Sequence, residues 1–176
     1  MRKLIIPVIS VIFVFLVGAF IYIYPQEKLD MSFSHFAVSD IIREMIKSKN
    51  LEFHLSEIDV NNLIKPKLSS TSLGKADWEI TGTHFELNKD QLIAHVNLRY
   101  LSFIQIGTTT YYQLTWEKPE IQLHPQYTQI RSLTLPKSWF SPPDQSVSLE
   151  SMLPSFLKVE NVLFEQNDIT IHLRLS

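Results

Sequence analysis

The stretch ADWEITGTHFELNKDQLIAHVNLRY, Ala76–Tyr100, decides the fold. In its second half Leu92, Ala94, Val96, Leu98 and Tyr100 fall on one phase of a period of two. Ile93, His95, Asn97 and Arg99 fall on the other. That alternation is the mark of a strand buried on one face. Asn88, Lys89 and Asp90 are turn formers between two such segments, so the stretch predicts a hairpin and an antiparallel sheet.

Downstream the same signal continues. Leu101, Phe103 and Ile106 fall out of phase, which predicts a bulge or bend at that point. TYYQLTWEKPEIQLHP, Thr110–Pro125, predicts one long strand or two short ones interrupted at Pro119. IRSLTLPKSWFSPPDQSV is rich in loop formers, and SLESMLPSFL predicts a short helix stopped at Pro154. The chain ends VENVLFEQNDITIHLRLS, two strands about a turn, with Ile169, Ile171, Leu173 and Leu175 in strict alternation.

Upstream lies LEFHLSEIDVNNLI, Leu51–Ile64. Leu51, Phe53 and Leu55 alternate with Glu52 and His54, a half-buried strand. Ser56 then predicts an N-cap with Asp59 at the third helical position, a variant of the capping box. The helix is expected to end at Pro66. SDIIREMIKSK, beginning at Ser39, predicts an earlier amphipathic helix. Strands joined in sequence by turns, with helices early and late, define an α+β fold: an antiparallel sheet packed against short helices.

The amino terminus differs in kind. Of 16 basic residues, Arg2 and Lys3 precede a run from Leu4 to Tyr24 that carries no charge. As a helix that run spans roughly 31 Å, close to the hydrocarbon core of a bilayer. Phe20, Tyr22 and Tyr24 suit the interface, and Pro25 ends the helix. A cleaved signal peptide is the competing reading, with Val17–Ala19 as its cleavage region, but FIYIY continues the apolar run beyond it. The expected organisation is a cytoplasmic tip and transmembrane signal-anchor over 1–25, a juxtamembrane connector over 26–38, and an extracytoplasmic domain over 39–176. Arg2 and Lys3 place the amino terminus in the cytoplasm of a single-pass membrane protein.

The remaining basic residues and all 18 acidic ones follow the apolar run, with no basic cluster, which argues against nucleic acid as a partner. There is no cysteine, so disulfides, thiolate metal sites and cysteine nucleophiles are excluded. Glu52, His54 and Glu57 raise a metal reading, since Glu52 and His54 share a strand face. No third ligand at a recognised spacing accompanies them, and solvent-facing positions of a half-buried strand explain them better. Asp59 is explained by the helix amino terminus. No nucleophile elbow appears, and with four glycines a phosphate-cradling loop is not expected. The expectation is a protein with no enzymatic activity, no cofactor and no metal.

Aromatic side chains are numerous. Either they pack a core or they line an apolar groove. Phe53, Ile58, Leu63, Trp78, Phe85, Trp116, Trp139, Phe140 and Phe156 are the candidate groove residues.

The order of elements resembles a known family. An anchor is followed by LEFHLSEIDVNNLI, a hairpin, a strand ending LTLP, and LPSFLKVENVLFEQNDITIHLRL. This is similar to the YpmS-like family of membrane-anchored proteins from Gram-positive bacteria, and more distantly to the tubular lipid-binding superfamily. The resemblance covers roughly residues 51 to 175. LSEIDVNNLI and MLPSFLKVENVLF match best. SWFSPPDQS departs, being longer and richer in proline. The resemblance implies a long curved antiparallel sheet around a helix, an apolar groove, and a role with lipid or another apolar component of the cell envelope. The alternative is a module that scaffolds an envelope enzyme or assembly factor.

Overall fold

A computed structural model of the chain describes residues 2–34, 42, 43, 45, 51–69, 78–138 and 142–176. The fold is α+β, with a curved antiparallel half-barrel sheet. Helix α1 covers Arg2–Ile23. Strand β1 (Glu52–Ser56) leads directly into helix α2 (Glu57–Ser69). Then come β2 (Trp78–Asn88), β3 (Gln91–Tyr100), β4 (Ile104–Glu117), β5 (Glu120–Ile130), β6 (Leu133–Thr134) and β7 (Gln145–Ser148). A single 3-10 turn at Glu150–Met152 precedes β8 (Leu157–Phe164) and β9 (Asp168–Leu175).

The strands form two sheets. The larger has the order β2-β3-β4-β5-β6, with β7 also paired to β5; the smaller has the order β1-β9-β8. All the pairs are antiparallel. The expected hairpin forms with Lys89 and Asp90 at its turn, and Lys89 takes the left-handed conformation at φ 56°. Between β3 and β4 the chain makes a tight turn at Leu101–Phe103, where a bulge or bend in a continuous strand was expected. The broken phase records a reversal, because β4 returns beside β3 with Tyr100 opposite Ile104. Register shifts lie elsewhere, in β2 between Ile80 and Gly82, between β4 and β5 at Tyr111 and Tyr112, and in β8 between Val159 and Asn161.

The cap at β1–α2 forms in full. Asp59 Oδ2 accepts from the Ser56 amide at 3.0 Å and from its hydroxyl at 2.6 Å. The Asp59 amide donates back to Ser56 Oγ at 3.3 Å. Pro66 lies inside α2 and does not end it. Proline forfeits one hydrogen bond there, close to the carboxyl end, while the last turn packs Leu68 on the core. The expected helix at the 3-10 turn is only three residues long. Of the helix expected from Ser39, Ile42 and Met45 are helical and buried; its other residues, Arg43 excepted, lie outside the described residues.

The core lies between the two sheets and α2. Leu87, Leu92, Leu157, Val159 and Ile171 are among its most buried members. No helix among the described residues is long and apolar enough to cross a membrane.

Candidate functional site: an apolar cavity and the strap behind it

β2 is an edge strand, and an edge exposes a row of unpaired backbone groups. Here three of its outward amides have partners. The Thr83 amide donates to the Asp30 carbonyl at 3.0 Å. The Phe85 amide donates to Asn61 Oδ1 at 3.0 Å, and Asn61 Nδ2 donates back to the Phe85 carbonyl at 2.6 Å. The Leu87 amide donates to Glu57 Oε2 at 3.1 Å. Asn61 therefore imitates a neighbouring strand from a helix, and α2 closes the edge.

The first of these amides is reached by the connector. Asn97 stands opposite Gly82 on one side and Gly107 on the other, so three small or short residues form a row across β2, β3 and β4. The chain after α1 lies along that row. A Cβ on Gly107 would come within 2.9 Å of Pro25 Cα, and one on Gly82 would overlap the Leu29 backbone. Asn97 Nδ2 donates to the Glu27 carbonyl at 2.8 Å. Past Leu29 the connector rounds the β2 edge, where Asp30 meets Lys65 of α2 at 3.4 Å. The Ser34 amide ends the path on Asn62 Oδ1 at 2.8 Å. The Ser32 hydroxyl and amide both donate to Asp30, which with Lys65 holds the Asp30 carboxyl below the usual carboxylate range. Residues 25–34 are thus a strap bound to the sheet and to α2.

The other face of the large sheet encloses a cavity of about 890 Å³. Its walls come from β2, β3, β4, β5 and β7, from α2, from β1 and β9, and from the segments that carry Leu135, Pro142, Leu149 and Leu153. They are hydrocarbon for the most part. Lys67 is the charged side chain among them. The threonine hydroxyls turn to the protein: Thr108 Oγ1 donates to the Val96 carbonyl at 3.2 Å, and Thr110 Oγ1 shares a hydrogen bond with Thr128 Oγ1 at 3.0 Å. Their methyl groups are left for the cavity. Burial pushes the Tyr112 phenol above its usual range, so it stays neutral.

Burial is graded along the walls. Near the β2–β3 turn Leu87 and Leu92 are 2% and 4% exposed. Toward the β3–β4 turn Trp78, Leu98, Ile106 and Ile130 are half-buried. The walls are thus most covered at the first end, called the closed end below, and most accessible at the second, the open end.

Phe53, Leu63, Trp78 and Phe85 line it. Trp116 packs on the core but is not a wall residue. Ile58 and Phe156 are corrections, being 72% and 48% exposed. Ile58 lies in the first turn of α2, off the stripe of Val60, Leu63, Ile64 and Leu68 that faces inward. Phe156 lies in the turn before β8. Trp139 and Phe140 lie outside the described residues. The aliphatic wall of β3, which includes Val96 and Leu98, was missing from the candidates although its period-two phase marked it, and Ile106 of β4 joins it from beyond the turn that broke the phase.

Glu52 and His54 do share a face, as the alternation required. His54 lies 3.4 Å from Glu52 and 3.2 Å from Asp168, and His172 lies 3.5 Å from Glu52. Glu57 is turned to the β2 edge. Among the described residues no group of three or more His, Asp or Glu side chains could hold a metal ion.

A scan against protein-family models, a search of curated proteins and a search of solved structures each return no match.

Proposed function

We propose that the chain is a membrane-anchored, extracytoplasmic, non-enzymatic protein that binds a lipid or other apolar component of the cell envelope in this cavity. The observation that carries the proposal is the cavity itself, about 890 Å³ with hydrocarbon walls and the charge of Lys67. A volume of this size suits a lipid-sized ligand, and walls without converging polar groups favour binding over bond-making chemistry. The uncharged run Leu4–Tyr24 supports an anchor with the amino terminus in the cytoplasm, and the resemblance to the YpmS-like and tubular lipid-binding proteins belongs to the same proposal. Filling the open half of the cavity tests it. Val96→Trp and Thr108→Trp should each abolish uptake of a fluorescent phospholipid by the purified full chain while leaving its thermal transition cooperative. Uptake equal to wild type in both variants would overturn the proposal.

A second reading has one observation in its favour. β8 ends its sheet and carries the exposed Leu163, which suits a protein partner at the sheet edge. Crosslinks in cells that centre on β8, or on Trp139 and Phe140, would support it.

A further inference from the structure

The two ends of the large sheet differ in chemistry. At the closed end the turns carry Lys89 and Asp90, then Lys118 and Pro119, with Glu117 and Glu120 beside them. Gln166 of the β8–β9 turn reaches the same end, within 3.1 Å of Asn88. At the open end the β3–β4 turn presents Leu101 and Phe103, 45% and 67% exposed, and the strand after the β5–β6 turn presents Leu133. Leu101 and Ser102 hold φ at 50° and 67°, where asparagine and glycine are the usual occupants. A leucine at positive φ carries a backbone cost, and with Phe103 and Leu133 it makes an exposed apolar group at this end.

The apolar helix leaves from the same end. Arg131, in the β5–β6 turn, donates to the Ile21 carbonyl at 2.9 Å, and its guanidinium lies 5.3 Å from the centre of the Tyr22 ring. The Tyr22 hydroxyl meets Ser132 Oγ at 3.2 Å. Pro25 then packs on Gly107, four residues along β4 from Phe103. That is about 13 Å at the rise of a strand. An arginine and tyrosines at the end of an apolar helix are suited to headgroup depth.

We propose that this end of the half-barrel is a membrane-contact surface. Leu101, Phe103 and Leu133 enter the interfacial layer of the leaflet beside α1, and the open end of the cavity faces that leaflet. The inference rests on the reading of α1 as a membrane anchor. It adds to that reading a fixed orientation, set by the strap, and a route for lipid that does not cross water. The occupant is a lipid surface because the apolar turns are continuous with an apolar helix and flanked by Arg131.

The chain has no cysteine, so a single introduced one is labelled uniquely. Phe103→Cys, Leu133→Cys, Val14→Cys and Lys89→Cys, each carrying an environment-sensitive fluorophore, would be reconstituted as full chains into vesicles of phosphatidylcholine and phosphatidylglycerol. Lipids bearing a nitroxide near the headgroup are the quencher. Labels at 103 and 133 should be quenched several-fold more than the label at 89, and the label at 14 should report insertion. Bilayer-core (blue-shifted) emission from the label at 14 with no quenching at 103 or 133 beyond that at 89 would overturn the membrane-contact surface and leave the anchor standing. Water-like emission at 14 would overturn the anchor and this proposal with it.

Discussion

Leu29 occupies the space a side chain at Gly82 would need, with Leu29 Cβ 2.8 Å from the position of the missing Cβ. Gly82→Ala should therefore cost about 1–3 kcal/mol by overpacking and loosen the strap, read as a lower denaturant midpoint and faster proteolysis between Pro25 and Ser34. Asn61 is buried and satisfies both backbone groups of Phe85. Asn61→Ala should cost about 2–3 kcal/mol by chemical denaturation, because it strands an amide and a carbonyl. Asp30 gives a prediction with pH. Its folded pKa is depressed, so its contribution is present above the ordinary carboxylate pKa and is lost as pH falls through the folded value. Wild type should melt above Asp30→Asn at neutral pH, and the two thermal midpoints should converge below about pH 4.

Elements whose cause is local were legible. The Ser56–Asp59 cap needs four consecutive residues, and its three hydrogen bonds follow from the sequence. Ser56→Ala should lower stability by about 1 kcal/mol in the same denaturation assay. The β2–β3 hairpin and β9 followed from period two. Pro66 was misread because a proline rule states the cost of a lost hydrogen bond and not what the last turn gains by packing. The strap was illegible for a different reason. Gly82, Asn97 and Gly107 lie far apart in sequence and meet only through strand register. Nothing in residues 25–34 themselves announces a partner. Ile58 shows the limit of hydrophobicity alone, since an apolar residue on the opposite side of α2 from the inward stripe faces water.

At the scale of the molecule, α2 and the strap together close one edge of a half-barrel. An open edge would otherwise invite pairing with another chain. The same closure ties the cavity to α1 through Arg131, Tyr22 and Pro25. The α+β class and the antiparallel sheet followed from strand order, while its curvature was implied by the resemblance; the division into two sheets followed from neither, because β1 pairs with β9 across almost the whole domain. The central claim is that lipid occupies the cavity, and photocrosslinking from its wall tests that claim most directly. A photoreactive residue at Val96, on the cavity side of β3, and another at Gln113, on the far side of the sheet, would be activated in membranes containing radiolabelled phospholipid. The account predicts a labelled adduct from position 96 and none above background from 113. Equal labelling at both positions, or none at 96 in a folded chain, would contradict it.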